Sequence, residues 1–309
     1  MHIALYFHGR LPVRGYGGTQ RVVIWLARGL SELGHQVTLL APPGSHVPEA
    51  TLVELDPAQL GRQGFELARL LPGSVDLLHA HAPLAPTPAH PHLFTLHGNR
   101  GAGRNLPPNT IFVSADHARR HGGTAFVYNG VDPSEFVFSA GKGDFDLFLG
   151  RLHSVKGYRW AIQGARRANR RLVVAGGWRP TLRRGLRFVG SVDGSRKAGL
   201  LADAACLWMP ALWDEPFGLT IVEAMMSGTP VLGTRRGALP EIVTNEVGAL
   251  GDTLEDLVRL RPAIERCEPQ ACRSRAERWF SHTVMAEEYV RMYQHYLRHN
   301  TLPPGKRIG

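Results

Sequence analysis

No stretch of this 309-residue chain approaches the run of roughly 18 apolar residues that a membrane-spanning helix needs. The first ten residues, MHIALYFHGR, carry too short an apolar run and no basic leader for a signal sequence, so they read as a first strand and the protein is expected to be cytoplasmic. The three cysteines, Cys206, Cys267 and Cys272, form neither an even set nor a C-x-x-C pair. That excludes a disulfide framework and a structural zinc and leaves them as core packing. The phosphate-binding fingerprint G-x-G-x-x-G is missing, which argues against a dinucleotide oxidoreductase. No repeat or low-complexity tract occurs, although residues 82–91, APLAPTPAHP, form a proline-rich loop. Lysine is scarce as well, with positions 142, 156, 197 and 306 supplying all of it in a chain of 36 Lys plus Arg.

What is present is arginine, unevenly spread. Residues 1–138 carry 10 Arg against 9 Asp plus Glu, whereas residues 141–199 carry 14 Lys plus Arg against 3 Asp, and the whole chain has a formal charge of +10. A local excess of this kind suits nucleic acid, a membrane surface or a phosphorylated small molecule, or is simply a solvated face. A hydrophobic fraction of 43% in a chain of this length supports two domains of ordinary size.

Short apolar runs at 3–7, 36–40, 52–55, 76–80, 93–96, 111–114 and 126–128 alternate with helical stretches at 18–33 and 58–71. After an irregular segment, 132–143, the alternation resumes, with strands at 147–149, 172–175, 187–189, 207–209 and 231–233 and helices at 157–168, 196–204, 219–227 and 254–264. Residues 270–299 read as one or two further helices. Strand–helix alternation of this kind makes a mostly parallel sheet covered on both faces. The expected fold is α/β, with two Rossmann-like, doubly wound domains facing a central cleft: residues 1–138, residues 139–280, and a C-terminal helix, 281–309, that packs back across the junction. Ligands of such sheets bind outside the carboxyl ends of the strands.

Three stretches carry chemistry. In GYGGTQRVV, Gly17 and Gly18 precede a helix and let backbone N–H groups approach an anion at its positive end; a plain turn before a helix explains them equally well. In LFLGRLHSVKG, Arg151 follows a strand and Lys156 starts the next helix, so that both converge on one phosphate. In WDEPFGLTIVEAMMSGTP, Pro216 suits a first helical turn and Gly218 allows close approach, leaving N–H groups of Phe217, Gly218, Leu219 and Thr220 for an anion. Glu215 then stands at the rim, and Glu223 lies inside an apolar helix, where its carboxylate needs a partner. The hydroxyls of a ribose supply one; an ion pair with an arginine is the structural alternative.

The order of Gly17-Gly18, DLLHAH, TLHG, VYNGVD, LFLGRLHSVKG, VVAGG, FVG, EPFGLTIVEAM and GTPVLGTRRGALPEIV resembles the retaining glycosyltransferases of the GT-B fold, family 4 type, through nearly the whole chain. That resemblance implies transfer of a sugar from a nucleotide-diphosphate donor, a UDP- or GDP-sugar, bound mainly by the C-terminal domain. Arg151 and Lys156 correspond to the pair that neutralises the diphosphate, and Phe217, Gly218, Leu219 and Thr220 to the backbone that touches sugar and phosphates. Glu215 corresponds to the carboxylate on the sugar hydroxyls and Glu223 to the one on the ribose. His97 matches the histidine beside the sugar, and Gly17 and Gly18 the loop that meets the diphosphate. Because two cations and helix N–H groups stabilise the leaving group, neither a metal nor any other cofactor is expected.

The chain is short for this family, and the trimmed segment GNRGAGRNLPPNT, 98–110, hides the acceptor. Ala211 stands where the family often has Ser, and Arg236 replaces the first glycine of a common pair. Asp144-Phe145-Asp146 has the form of a D-x-D metal motif but reads as solvated carboxylates at a strand entrance. His79-Ala80-His81 and His90-Pro91-His92 have metal-ligand spacing without further ligands, so they read as cleft-edge histidines, with His79 or His81 touching acceptor. Two other readings stay open: a non-catalytic nucleotide-sugar- or nucleic-acid-binding protein on the same fold, and a GT-B epimerase. The arginines are expected to gather beside the diphosphate and to serve an anionic donor or acceptor more than a nucleic acid, with peripheral membrane contact left open.

Overall fold

The computed structural model describes residues 1–308 apart from 14, 16, 60–66, 85–87 and 102–104. They divide into two compact units, Met1–Gly130 with His282–Gly309, and Val131–Ser281.

In the first unit, β1 (His2–Tyr6), β2 (Gln36–Ala41), β3 (Thr51–Glu54), β4 (Leu77–Ala80), β5 (His92–Thr95) and β6 (Thr110–Ile111) form one parallel sheet in the order β3-β2-β1-β4-β5-β6. Every residue of β1 and β4 is buried, as central strands covered on both faces require. Helix α1 (Gly18–Glu32) follows β1. The apolar run 111–114, expected as a strand, is cut short because Ser114 ends it: its Oγ accepts from the His117 N–H at 3.0 Å and starts α2 (Ala115–Arg120). The run at 126–128 contributes a single bridge, Phe112 to Phe126. Of the helix expected over 58–71, the described parts are short turns at Pro57–Gln59 and Leu67–Leu70; residues 60–66 lie outside the described residues, as do 85–87 of the proline-rich loop and 102–104 of the trimmed segment.

The second unit repeats the plan. Strands β7 (Phe145–Leu149), β8 (Arg171–Ala175), β9 (Leu186–Phe188), β10 (Cys206–Met209), β11 (Val231–Thr234) and β12 (Gly248–Gly251) pair in the parallel order β12-β11-β10-β7-β8-β9. Counted within each unit the order is the same, 3-2-1-4-5-6, and in each the direction of winding reverses between the first and fourth strands. Strand β12, sequence GALG, was not foreseen, since two glycines leave too little apolar pattern to read. The helices are α3 (Tyr158–Arg167), α4 (Gly194–Asp203), α5 (Leu219–Met226), α6 (Leu239–Ile242), α7 (Leu254–Leu260) and α8 (Pro269–Phe280). The expected helix 254–264 stops at Leu260 and continues as a 3-10 turn, Arg261–Arg266, because Pro262 has no N–H to give and its ring crowds the preceding turn.

Asp146 corrects the reading of the D-x-D stretch as solvated. Asp144 is indeed exposed, with Arg171 Nη1 at 2.6 Å. Asp146 has no exposed surface: Arg261 grips it with Nε at 2.8 Å and Nη2 at 2.7 Å, and the Trp208 indole N–H donates to it at 2.8 Å. A carboxylate this deep survives only with a cation and several donors around it. Lys142 plays a related part, donating to Ala202 O at 2.8 Å, Ser227 O at 3.0 Å and Thr229 Oγ1 at 3.0 Å, so that one ammonium ties the ends of α4 and α5. Burial pushes it down to about 8.

The last helix, α9 (His282–His299), belongs to the first unit and lies along α1. Its Tyr293 hydroxyl is 2.7 Å from His79 Nδ1, its Tyr289 hydroxyl is 3.0 Å from Thr95 Oγ1, and His79 Nε2 is 2.7 Å from the same Thr95 oxygen. His79 is therefore a core residue with both nitrogens engaged, not the cleft-edge histidine expected, and burial lowers its pKa to about 3. No helix among the described residues is long and apolar enough to cross a membrane.

Two outcomes follow for stability. Asp146→Ala strands a buried guanidinium and should destabilise the second unit by about 3–5 kcal/mol, whereas Asp144→Ala, which breaks a surface pair, should stay within about 0.5 kcal/mol; urea unfolding of both variants decides, and equal losses would contradict the assignment. For His79 the folded pKa is depressed, so between about 3 and the ordinary 6.5 the unfolded chain holds the extra proton. Stability is then present above about 6.5, is lost progressively as pH falls through this window and is flat below about 3. His79→Gln, which hydrogen-bonds without titrating, should flatten the fall of melting temperature with acidification; an unchanged slope would count against a neutral, buried His79.

Candidate active site

The reversal of winding in the second unit lies between β7 and β10, and the segments leaving the carboxyl ends of those two strands carry the residues singled out in the sequence. After β7 come Gly150 and Arg151, which is exposed, then a 3-10 turn, Ser154–Lys156. After β10 the chain reaches Trp213 and Glu215. The Lys156 ammonium is 2.6 Å from Glu215 Oε2, and the Trp213 indole N–H donates to the same oxygen at 2.8 Å. Lys156 also sits 4.9 Å from the centre of the Trp213 ring. Both partners are largely buried, the side chains 13% and 10% exposed, so water screens the pair little. The sequence joined Lys156 to Arg151; the fold joins it to Glu215.

Helix α5 begins later than Pro216 suggested. Its N-cap is Gly218, with φ +93°, and a side chain there would meet Ile221 Cδ1 at 2.9 Å. Pro216 and Phe217 are thus loop residues, and Phe217 is buried with its ring centre 5.8 Å from that of Phe280. Leu219 and Thr220 open the helix, where N–H groups have no acceptor inside it. One turn on, Glu223 is 3% exposed and accepts from Lys197 Nζ at 2.8 Å. The partner is a lysine from α4 and not an arginine. Lys197 was missed as a site residue, yet a signal existed: in a chain that uses arginine almost everywhere, a lysine inside the apolar face of α4 stands out.

The turn after β11 closes on the same segment. Ala238 N–H donates to Glu215 O at 2.9 Å, and Gly237 has φ +58° with its α-carbon against the Glu215 backbone, where a side chain would collide. Of the common glycine pair the chain keeps the one this approach needs, while Arg236 points to solvent. Ala211 is fully buried, and its carbonyl accepts from Thr234 Oγ1 at 2.6 Å.

The remaining predicted residues are in the first unit, at the carboxyl edge of its sheet. An open cavity of ≈ 300 Å³ is lined by His8 beyond β1, Thr19 and Gln20 of α1, His81 beyond β4, and His97 and Arg100 beyond β5. His97 Nε2 is 2.9 Å from His81 Nδ1. Burial lowers the pKa of His97 to about 4 and that of His81 well below its usual value. At neutral pH both rings are uncharged, so one donates to the other. Gly17 caps α1 and Gly18 is its first residue; Gly17 has φ −179°, ordinary extended backbone, so its conformation does not demand glycine. His92 opens β5 at the amino end, away from His97, with its Nδ1 3.0 Å from His90 O.

The basic segment does not gather at the Lys156–Glu215 site, as had been expected. Arg166, Arg167 and Arg170 lie at the far end of α3, and Arg171 opens β8, so these cations are at the amino edge of the sheet, opposite Arg151 and Lys156. The cause is topological: a helix that leaves the carboxyl edge returns to the amino edge.

Comparison with known proteins gives these arrangements a family. A model of glycosyl transferases group 1 matches residues 146–264, and a model of glycosyltransferase family 4 matches residues 16–121. The crystal structure of AviGT4, a glycosyltransferase involved in avilamycin A biosynthesis, is similar over 98% of this chain and 99% of its own, with 30% identity and a TM-score of 0.80. Anabaena HepE in complex with UDP-glucose has the same fold, with a TM-score of 0.67 and 17% identity over 95% of this chain and 99% of its own. A phosphatidyl-myo-inositol mannosyltransferase of Propionibacterium freudenreichii is 26% identical over 298 residues, 77% of this chain and 78% of that one. The match to an uncharacterised glycosyltransferase of Methanocaldococcus jannaschii, 31% identical over 154 residues, takes in 40% of this chain and 39% of that one. With both units matched and a relative alike along its whole length, the chain belongs to the family 4-type glycosyltransferases of the GT-B fold.

Proposed function

We propose that the chain is a retaining glycosyltransferase that takes a sugar from a UDP- or GDP-linked donor held mainly by the second unit and transfers it without a divalent ion. The observation that carries the reading is the Lys156–Glu215 pair at the point where the second sheet reverses its winding. A cation and a carboxylate in contact there suit a ligand with anionic phosphates on one side and sugar hydroxyls on the other. Support for the donor class comes from the UDP-glucose complex of HepE and from the mannosyltransferase named above.

In this reading Lys156 and Arg151 face the diphosphate, assisted by the N–H groups of the segment Phe217, Gly218, Leu219 and Thr220. Glu215 accepts from the sugar hydroxyls, with one oxygen already oriented by Lys156 and Trp213. Glu223, held by Lys197, is assigned to the ribose. His97 is neutral and serves as a hydrogen-bond partner of the sugar, and Gly17 and Gly18 are assigned to the diphosphate. The bond between the anomeric carbon and the phosphate oxygen breaks, its electron pair going to that oxygen. The acceptor oxygen bonds to the same carbon on the same face, and its proton passes to the departing phosphate. Charge grows on the leaving group in the transition state, which is where fixed cations and N–H groups act most.

A thermal-shift series with UDP- and GDP-sugars should raise the melting point with at least one of them, and the product's anomeric configuration, read by NMR, should match the donor's. Inversion would refute the retaining assignment. Lys156→Ala and Glu215→Gln should each lower kcat by about a hundredfold, and because the two groups touch, the double variant should lose less than the product of the two factors. Glu223→Gln, and Lys197→Met acting through it, should chiefly raise the donor KM; a loss confined to kcat would reverse the two glutamates. Turnover should persist in excess EDTA. An enzyme that stops there and recovers with magnesium or manganese uses a metal after all.

A further inference from the structure

Residues 158–187 contain nine arginines and no aspartate or glutamate. Carboxylates from elsewhere reach three of them: Glu255 at 2.6 Å from Arg167, Asp146 at 3.6 Å from Arg170 and Asp144 at 2.6 Å from Arg171. Among the described residues Arg159, Arg166, Arg179, Arg183, Arg184 and Arg187 have no ion-pair partner. The connection from β8 to β9, residues 176–185 with sequence GGWRPTLRRG, contains no helix. It runs back beside α3: the Arg179 guanidinium is 5.5 Å from the Tyr158 ring at the start of that helix, and Arg183 shares a hollow with Gln163 and Arg166 further along. Helix and connection therefore offer their arginines on one side of the unit, next to the edge strand β9.

Two apolar side chains stand in this same connection. Trp178 is 68% exposed and Leu182 104% exposed, and they belong to the five large apolar side chains that the described residues leave in solvent. An aromatic ring and an aliphatic chain held in water among unpaired guanidinium groups match a boundary that is anionic at its surface and apolar just beneath. We infer that this face docks on the anionic headgroup surface of a lipid bilayer. Guanidinium groups bind headgroup phosphates in bidentate fashion, tryptophan settles at the level of the headgroups, and Leu182 reaches the acyl boundary below them. A single-stranded nucleic acid would match the charge and find one stacking ring in Trp178, but it gains nothing from the fully exposed aliphatic Leu182, which a bilayer would cover. The inference does not rest on the transfer reaction and uses none of its residues.

The test is co-sedimentation of the full chain with vesicles of phosphatidylcholine alone and with vesicles in which about a third of the lipid is phosphatidylglycerol, at low and physiological salt. Binding is expected to the anionic vesicles and not to the neutral ones, weakening as salt rises. The triple variant Arg183→Glu, Arg184→Glu, Arg187→Glu should lower the partition coefficient by about tenfold or more. The pair Trp178→Ser, Leu182→Ser should weaken binding separately. Brominated acyl chains should quench the wild-type fluorescence more than that of Trp178→Phe. Melting temperatures guard against misfolding, and glutamines replace the glutamates if the triple variant melts early. Failure to bind anionic vesicles at low salt, equal binding to neutral ones, or an unaffected triple variant in its folded form overturns the inference. So does release of the protein from vesicles by single-stranded DNA or by pyrophosphate at concentrations that leave the ionic strength unchanged, which would assign the face to a nucleic acid or to a small anion.

Discussion

A carboxylate taken out of water must bring a cation with it, and the second unit is organised around that requirement. Asp146 is held by Arg261, Glu215 by Lys156 and Glu223 by Lys197. Without the cation nothing would offset the loss of water around each charge. The three pairs differ in what surrounds them. Asp146 is enclosed at the base of β7, where Arg261 and Trp208 occupy both its oxygens, and it stabilises the fold. Glu215 and Glu223 each meet a lysine and stand on the segments that leave the carboxyl end of β10, which is where a doubly wound sheet receives ligands.

The choice of cation follows the same division. Arginine, with a rigid fork of donors, fills the bidentate role at Asp146 and supplies the exposed charge of α3 and of the connection 176–185. In this unit lysine, a compact charge on a flexible stem, takes enclosed or convergent positions. Lys142 gathers three oxygens at the ends of α4 and α5, Lys156 meets Glu215 and Lys197 meets Glu223. An ammonium in contact with a carboxylate at a ligand-binding edge can exchange partners without rebuilding the fold around it, since the point charge imposes no plane.

The first unit uses its polar core differently. His79, Thr95, Tyr289 and Tyr293 form a neutral network that joins β4 and β5 to α9. Neutral groups with every hydrogen bond made avoid the penalty of burying charge. His81 and His97 lie one step beyond, past the carboxyl ends of the same strands, and remain uncharged because burial disfavours the imidazolium. The strand register that locks His79 inside also turns His81 toward the cavity, because alternate residues of a strand and its extension keep to one face.

The sequence by itself determined the class of fold, since short fully apolar runs separated by amphipathic stretches have no other compact arrangement than a covered parallel sheet. It also marked Arg151, Lys156, Glu215 and Glu223, because a carboxylate in an apolar helix or a basic residue beside a strand end conflicts with local packing unless a partner exists, whereas His97 stood out only through the resemblance to the family. Ser114 and Pro262 end their elements for local chemical reasons, although the apolar pattern ran a strand through the one and a helix past the other, and nothing local could show β12, whose pairing with β11 comes from the sheet and not from its own glycines. The partners were beyond reach. Lys156 meets Glu215 across 59 residues and Lys197 meets Glu223 across 26, while Asp146 and Arg261 are 115 apart. Such pairs are set by which strand ends lie side by side, so the same D-x-D carboxylate that looked solvated at a strand entrance became the most buried charge in the unit. The arginines of 158–187 show the converse: composition announced the charge, and only the return of α3 to the amino edge of its sheet decided that most of it would stand apart from the site it had been expected to serve.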